Sequence, residues 1–298
     1  MQILTLSMLV LAVMSTASAG DQKPAAGELP VQYEEVTAIQ FLTAVQRAES
    51  TCIIPLGILE KHGPHLPLGT DLLDVREVAL RAAHKEFTLV FPQFYFGQIL
   101  EAKHQPGTIA YTPQLIWDVL QQTCAELARN GIKKIILVNG HGGNNSFLTY
   151  FCQAQLESPR DYAIYLFTPQ SDPQVEEKIN KMRKTSFDGH AGEEETSTLL
   201  SHHPELVQLD QASSQSGADQ QRLDHLHHSY VGIWWYAKFP NHYAGEGAAG
   251  NRELGETIIN AQAEQLVKMI QEVKKDQMVL QLQNQFYQES QNPLKTGQ

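Results

Sequence analysis

The 298-residue sequence is poor in cysteine, in positive charge and in long hydrophobic runs. Its three cysteines, Cys52, Cys124 and Cys152, form no C-x-x-C pair. An odd number leaves at least one thiol unpaired unless two molecules are bridged. Each cysteine lies in an apolar or amphipathic segment, so we expect buried free thiols that pack as small apolar side chains.

Positive charge is scarce, with 22 Lys and Arg against 33 Asp and Glu and a formal net charge of −11. This balance argues against nucleic acid or an anionic membrane as the main partner. Hydrophobic residues make up 42% of the chain, which is enough for one large domain with a substantial core. After the N-terminus no stretch is apolar enough to cross a bilayer, so we expect no membrane span in the mature protein.

The long apolar run is residues 1–14, at the N-terminus. It is too short for a comfortable membrane span, and the small residues Ala17 and Ala19 follow it at positions that suit signal-peptidase cleavage. The run contains no Lys or Arg, so the amino terminus supplies its only positive charge. We predict a signal peptide at 1–19 and a periplasmic or secreted mature protein that begins with a polar arm, 20–33.

Short apolar runs alternate with amphipathic segments along the rest of the chain. The runs at 52–59, 88–92, 133–138 and 161–167 predict strands. Helical spacing and helix start and stop signals predict helices at 34–49, 72–86, 112–130, 146–155, 175–184, 193–202 and 251–275. This alternation is typical of an α/β fold with a mostly parallel sheet, which we assign to residues 34–275, followed by a Gln-rich tail at 276–298.

The first cluster of ligand-type residues follows the strand predicted at 52–59. Glu60 and His62 leave the same face if the strand continues to them, because side-chain direction alternates with a period of two. Asp71 ends the loop, directly before a predicted helix. Two carboxylates and an imidazole on one turn suit a divalent metal. The alternatives are that Glu60 is a surface residue and that Asp71 only caps the helix.

The second cluster surrounds His141, in the stretch Asn139-Gly140-His141-Gly142-Gly143-Asn144-Asn145. Glycine permits close approach of the backbone to an ion, but an ordinary strand-to-helix turn capped by asparagine is also compatible with this stretch. In a parallel sheet, ligands bind beyond the carboxyl ends of the strands. His141 follows a strand at that end, as Glu60 and His62 do, so we expect the three side chains to converge.

The third cluster is Asp188-Gly189-His190-Ala191-Gly192-Glu193-Glu194-Glu195-Thr196-Ser197. His190 precedes a predicted helix, and Glu193 and Glu195 fall in the first turn of that helix. Acidic residues in a first turn also interact favourably with the helix dipole, without any ligand. The apolar run after them indicates that one or two of the glutamates point inward.

These stretches together resemble the creatininase (creatinine amidohydrolase) family. The resemblance rests on three motifs in order, with weaker support from His104-Gln105-Pro106-Gly107-Thr108, and it covers residues 34–268. The motifs are Leu59-Glu60-x-His62-Gly63-Pro64-His65-Leu66-Pro67-x-Gly69-Thr70-Asp71, Asn139-Gly140-His141-Gly142-Gly143-Asn144 and His190-Ala191-Gly192-Glu193-x-Glu195-Thr196-Ser197.

The resemblance implies a three-layer α/β/α fold, two divalent metal ions (Zn²⁺, Mn²⁺ or Fe²⁺) and a ring-like hexamer. It implies hydrolysis of a non-peptide C–N bond, with a small amide or lactam as substrate. By position, Glu60 and His141 would bind one metal and His62 the other, with Asp71 bridging both. His190 would be the acid/base, and Glu195 would orient His190 or hold the substrate.

One position departs from creatininase proper, which carries an acidic ligand where this chain has Gly143. His62 and the shared Asp71 would hold an ion poorly, so we expect a further oxygen ligand. We predict Glu193 for this role, since it lies three residues after His190, and keep Glu195 as the competitor.

We assign substrate binding to His104, Trp234 and Trp235, although the two tryptophans fit a buried core pair about as well. The His-rich run at 225–228 is interpreted as a solvated loop. Within the family, peptide trimming during cofactor maturation is the alternative activity. A non-catalytic periplasmic metal- or ligand-binding protein is a third possibility. The presence of His190, the expected acid/base, argues against it.

Overall fold

The computed structural model describes residues 28–295, which form a four-stranded sheet surrounded by helices. The predicted signal peptide, residues 1–19, lies outside the described residues, as do residues 20–27 of the predicted arm and the last three residues of the tail. Among the described residues, no helix combines the length and the hydrophobicity that crossing a membrane requires.

The elements follow one another as an α/β alternation. The strands are β1 (Thr51–Leu56), β2 (Leu89–Val90), β3 (Lys134–Asn139) and β4 (Ala163–Leu166). The helices are α1 (Ala38–Arg47), α2 (Thr70–Lys85), α3 (Pro113–Arg129), α4 (Asn145–Ala154), α5 (Pro173–Met182), α6 (Glu193–His202), α7 (Trp234–Lys238), α8 (Arg252–Lys275) and α9 (Met278–Ser290).

The sheet has the order β2-β1-β3-β4, and every neighbouring pair is parallel. Its two central strands, β1 and β3, pair along their whole length, so that Leu56 lies opposite Asn139. The segments that follow them, from Gly57 and from Gly140, therefore leave the sheet side by side. This register brings the first and second ligand clusters to one edge of the sheet.

Successive strand residues point to opposite faces and supply two separate cores. Ile53 and Ile136 pack with α2 and α8 on one face, whereas Ile54 and Ile135 pack with α1, α3 and α4 on the other. The predicted three-layer α/β/α fold with a parallel sheet is thus confirmed. Cys52 and Cys124 are buried and free, as predicted, while Cys152 is half-buried.

The prediction that the first strand extends to Leu59 is wrong, because β1 ends at Leu56. Gly57 lies so close to α2 that a Cβ on it would come within 2.7 Å of the Leu72 amide nitrogen. This approach turns the chain away from the sheet. Glu60 and His62 therefore lie in an irregular loop, and strand alternation is not what brings them together.

Capping side chains explain two helix boundaries, of which the first differs from the sequence prediction. The first helix begins at Ala38 because Thr37 caps it, with its hydroxyl accepting the Gln40 amide. Helix α8 ends at Lys275, as predicted, because Asp276 is its C-cap, and the Asp276 carboxylate accepts the amides of Met278 and Val279 to start α9 within the tail. Residues 208–233 contain no α-helix or strand, and the His-rich run at 225–228 lies within this irregular segment.

Candidate metal centre

Ligand-type side chains from four segments meet beyond the carboxyl ends of β1 and β3. The loop after β1 supplies Glu60 and His62, the first turn of α2 supplies Asp71, and the turn after β3 supplies His141. The segment leading into α6 adds His190 from the second half of the chain. The first, second and third sequence clusters thus lie at one place.

Backbone hydrogen bonds fix the two loops that carry these residues. The Gly140 amide donates to the Leu56 carbonyl at 2.7 Å, and the Glu60 amide donates to the Leu68 carbonyl at 3.0 Å. Asp71 lies inside α2, whose N-cap is Gly69, and so it is not the helix cap. Its carboxylate is free to face the two histidines.

The first group consists of Glu60, Asp71 and His141, all three buried. The Nδ1 atom of His141 lies 2.9 Å from Oε1 of Glu60 and 3.1 Å from Oδ2 of Asp71. Among the described residues, neither of these carboxylate oxygens accepts a well-aligned hydrogen bond. Buried carboxylate oxygens without such partners are costly, and a divalent cation between them would compensate that cost.

The second group is centred on His62. Its Nε2 atom lies 2.9 Å from Oδ1 of Asp71 and 4.0 Å from Oε2 of Glu195. Asp71 therefore contacts the first group through Oδ2 and the second through Oδ1. His190 is close as well, with its ring centroid 4.4 Å from that of His62.

Each of the three predicted site histidines makes a contact with a backbone carbonyl through one nitrogen. His62 contacts the Glu60 carbonyl at 3.2 Å through Nδ1, and His190 contacts the Lys61 carbonyl at 2.9 Å through Nε2. His141 contacts the Gln98 carbonyl at 3.0 Å through Nε2. A carbonyl only accepts, so in each neutral ring the other nitrogen keeps a lone pair and faces the cluster. Metal-binding histidines are held in this way.

The charges of the cluster are strongly coupled. Burial opposes charge on His62, but Asp71, Glu60 and Glu195 raise its pKa to about 10. Burial opposes charge on His141 as well, yet Glu60 and Asp71 raise the pKa of that ring well above its usual range. Burial acts to raise the pKa of Glu60, but His141 and His190 hold it well below the usual value. The carboxylates thus create a negative potential that attracts cations, either protons on the histidines or metal ions.

The choice of Glu193 as the additional metal ligand does not fit this structure. Both oxygens of the buried Glu193 carboxylate accept the Lys184 amide at 2.9 Å, and Oε2 also accepts the Thr185 amide at 2.7 Å. These bonds tie the chain before His190 to the first turn of α6. Glu193 belongs to neither group of candidate ligands.

Glu195, the competitor, is the glutamate that reaches the cluster. Its Oε2 atom accepts the Ala191 amide at 2.6 Å and lies 3.7 Å from Nδ1 of His190. Glu194 points away from the cluster and pairs with Arg183 at 2.8 Å. The three consecutive glutamates therefore have three different partners.

Gly143 occupies a position where a side chain does not fit. A Cβ added there would lie 2.4 Å from Nε2 of His141 and 3.1 Å from Oε1 of Glu101. The His141 ring, held on the Gln98 carbonyl, fills the space that a ligand at 143 would need. Glu195, from another part of the chain, brings a carboxylate oxygen to 4.0 Å from Nε2 of His62.

The three predicted substrate-binding residues lie at different distances from the cluster. His104 is exposed and its Nε2 contacts the Pro240 carbonyl at 2.9 Å. Trp235 lies against His190, with ring centroids 5.9 Å apart, and Trp234 packs on Trp235 at 5.3 Å. Among these residues only Trp235 is in direct contact with the site.

Sequence reasoning missed one residue of the site, His242. It is 2% exposed, and its Nε2 contacts Oε2 of Glu60 across 182 positions of sequence. Burial lowers the pKa of His242, which favours the neutral ring. The sequence contained one signal that could have pointed to His242. It is a single histidine outside the three motifs, in a stretch that also contains Gly245, Gly247 and Gly250.

Comparisons with known proteins identify a family that matches most of this chain. The sequence profile of the creatininase family, described as creatinine amidohydrolase, matches residues 34–270. A creatinine amidohydrolase from Pseudomonas putida is 29% identical over 193 residues, which are 59% of this chain and 73% of that protein. A mycofactocin precursor peptide peptidase from Mycolicibacterium smegmatis is 30% identical over 165 residues, 53% of this chain and 60% of the peptidase.

Solved creatininase structures have the same fold. A variant described as the Zn–Zn type has a TM-score of 0.70 and 23% identity, and the match covers 84% of this chain and 100% of that one. A structure described as creatininase Mn has a TM-score of 0.68 and 24% identity over 83% of this chain and 99% of that one.

Proposed function

This chain belongs to the creatininase family of metal-dependent amidohydrolases, and we propose that it uses two divalent metal ions to hydrolyse a C–N bond in a small amide or lactam. The observation that carries the proposal is the shared carboxylate of Asp71. Its two oxygens face two different histidines, His141 and His62. An arrangement of this kind suits two neighbouring cations better than one.

The donor set fits divalent transition metals. The first group would hold one ion through Glu60, Asp71 and His141. For the second ion we propose His62, Asp71 and Glu195, since Nε2 of His62 lies 2.9 Å from Asp71 and 4.0 Å from Glu195. Mixed nitrogen and oxygen ligands suit Zn²⁺, Mn²⁺ and Fe²⁺, and related creatininases are described as zinc or manganese forms. When bound, such ions activate water and polarise a carbonyl group.

His190 is placed to move a proton. The Lys61 carbonyl holds its Nε2–H, so Nδ1 is the atom that can exchange a proton with a leaving nitrogen. Oε2 of Glu195 lies 3.7 Å from that atom. Trp235 packs against the same ring and limits access of water on that side.

The space beside the cluster favours a small polar substrate. A cavity of about 330 Å³ reaches His141 and Glu195, and its other polar lining residues are Asp74, Asn139, Asn145, Glu194, Thr198 and Gln262. This volume is at the lower end of the range for small-molecule sites. A larger cavity of about 850 Å³ beside α8 contains none of the candidate site residues.

Peptide trimming is the second candidate, because several curated relatives are peptidases. A short peptide would have to present its bond to the same groups, so the ligand set alone does not separate the two activities. The small cavity favours the amide or lactam. Hydrolysis of an amide and trimming of a peptide both require His190, whereas a non-catalytic binding protein does not.

We also propose that the protein is exported after cleavage behind Ala19 and that it assembles as a hexamer. The first proposal rests on the apolar run 1–14 and on Ala17 and Ala19. Amino-terminal sequencing of the exported protein should return Gly20, and a chain that starts at Met1 would contradict this. The hexamer rests on family resemblance alone, and the mass of the native particle in solution tests it.

The deciding experiment is hydrolysis of a panel of lactams, cyclic ureides, linear amides and short peptides. The purified protein is assayed after chelation and again after addition of Zn²⁺ or Mn²⁺. His190→Gln is the catalytic variant, and His84→Gln, an exposed histidine on α2, is the control. We expect metal-dependent turnover of a lactam or amide that His190→Gln abolishes and the control retains.

Each other outcome selects a different function. Metal-dependent cleavage restricted to the peptides would favour the trimming peptidase. Tight metal binding with no turnover on any substrate would favour a binding protein. Turnover that is unchanged after complete removal of metal would contradict the proposed metal chemistry.

A further inference from the structure

We propose that Trp235 and His242 form a hydrogen-bonded pair that positions Glu60 to bind metal through a single oxygen, and that this chain therefore depends on a histidine that is not itself a ligand. The proposal rests on the metal site described above. It adds two positioning residues, both from the irregular second half of the chain.

The direction of each hydrogen bond follows from elementary chemistry. The indole Nε1–H of Trp235 can only donate, and it lies 2.8 Å from Nδ1 of His242. Nδ1 is therefore the acceptor nitrogen of His242. The neutral ring carries its proton on Nε2, the atom that contacts Oε2 of Glu60. The result is a chain in which Trp235 donates to His242 and His242 donates to Glu60.

His242 donates a hydrogen bond towards the cluster, whereas the other histidines of the site present a lone pair to it. His62, His141 and His190 each contact a carbonyl with one nitrogen and present a lone pair to the cluster. His242 presents an N–H. A ring held in this tautomer is a hydrogen-bond donor to a metal ligand and does not coordinate the ion itself.

The two carboxylate oxygens of Glu60 therefore have different roles. Oε2 is occupied by His242, while Oε1 faces His141 and has no well-aligned hydrogen bond among the described residues. The carboxylate is fully buried, so water cannot take over the role of His242. Glu60 is thereby fixed with Oε1 towards the first group of ligands.

The backbone conformation at His242 supports a functional role for this residue. Its φ of 51° lies in the left-handed region, which non-glycine residues seldom adopt. The conformation is held from both sides, because the His242 carbonyl accepts the Gly63 amide at 3.2 Å and the His242 amide donates to the Phe239 carbonyl at 2.9 Å. Gly63 follows His62 directly, so this segment is tied to the loop that carries the ligands.

The same tryptophan also touches the candidate acid/base. The Trp235 ring lies edge-on to His190 and to His242, at 5.9 and 5.8 Å, and the two imidazoles are 4.5 Å apart. The indole N–H is already used by His242. Trp235 thus acts as a support for two site histidines, a different role from the substrate contact predicted from sequence.

The test compares zinc affinities of full-length variants by competition with a chromophoric chelator. His242→Asn keeps a residue that tolerates the left-handed backbone but is too short to reach Glu60. We expect its tightest zinc site to weaken by roughly 10- to 100-fold, the usual effect of losing a partner of a metal ligand. His242→Gln, whose longer amide can donate to Glu60, should recover part of that loss.

Trp235→Phe removes the indole N–H and keeps an aromatic ring, although a smaller one, at this position. We expect a smaller loss of zinc affinity, about threefold to tenfold, because the tautomer of His242 is no longer imposed. His84→Asn, on the exposed surface of α2, is the matched control and should bind zinc as the unmodified protein does. Thermal unfolding of each chelated variant shows whether the metal-free fold is intact.

Zinc affinity in His242→Asn within twofold of the unmodified protein would overturn the proposal, and so would equal losses in the Asn and Gln variants. If His242→Asn does not fold, Trp235→Phe decides, and an unchanged affinity there rejects the pair. Failure of the unmodified protein to bind zinc or manganese would instead contradict the proposed function.

Discussion

The two groups of candidate ligands differ in how the fold builds them. Glu60, Asp71 and His141 come from segments anchored to the two central strands, and all three are buried. The group around His62 is completed by Glu195 from α6, whose side chain is 36% exposed. The first group is therefore preformed and closed, whereas the second is open to solvent on one side.

From this difference we expect different tasks for the two proposed metal positions. A closed set of ligands on a rigid sheet edge holds an ion in one geometry. An open set next to His190 leaves room for water and for a substrate. Catalytic metal sites keep such an open position, while fully enclosed sites serve structure. We therefore expect substrate to approach from the side of Glu195.

The largest effect should come from the residue that the two groups share. Asp71→Asn removes a carboxylate that faces both His62 and His141, so we expect metal affinity to fall by more than about 100-fold at both positions. Metal analysis after dialysis measures this. Asp74→Asn, one turn along α2 and paired with His202 and Thr198, is the control. Two ions retained in Asp71→Asn would show that the carboxylate does not bridge.

The next effect separates two neighbouring glutamates. Glu195→Gln should weaken one ion by roughly 10- to 100-fold and leave the other, since Glu195 reaches only the second group. Glu193→Gln should keep both ions but lower the free energy of unfolding by about 1–3 kcal/mol, because a buried carboxylate that accepts backbone amides loses its charge.

Metal titration and chemical unfolding of the two variants measure these quantities. The reverse pattern, in which Glu193→Gln loses an ion at unchanged stability, would return Glu193 to the ligand set. It would also remove the distinction between a closed group and an open one.

The smallest effect, taken over a change of one pH unit, is the dependence of metal affinity on pH. The carboxylates raise the pKa of His62 from 6.5 to about 10, so below that pH a metal must displace a proton from this ring. Apparent metal affinity should rise by about one logarithmic unit per pH unit for each proton released, and the rise should end near pH 10. The same shift stabilises the metal-free protein below about pH 6.5, and this stabilisation is lost as the pH rises through about 10.

Calorimetric titration at pH 7 in buffers of different ionisation enthalpy counts the released protons. We expect at least one, from His62, and a second from His141, whose pKa is raised as well. Binding without proton release would mean that the histidines are neutral in the metal-free protein.

The sequence alone determined the architecture and the strand-end part of the site. Alternating apolar runs and helical patterns predicted the parallel three-layer fold, and motifs directly after β1 and β3 placed Glu60, His62, Asp71 and His141 at one edge. These inferences succeed because strand pairing converts a position in sequence into a position in space. Once the strands are paired, the residues that directly follow them have little freedom to lie elsewhere.

Only the tertiary structure showed that Glu195, and not Glu193, lies next to His62, and only it revealed His242. Residues two apart on a helix point to nearly opposite sides, since each residue turns the chain by about 100°. Which glutamate faces the metal site therefore depends on how α6 is rotated against the sheet, and the sequence does not fix that rotation. His242 meets Glu60 across 182 positions through an irregular segment with no periodicity. Contacts of this kind depend on how the whole chain packs, and they cannot be predicted from the local sequence pattern.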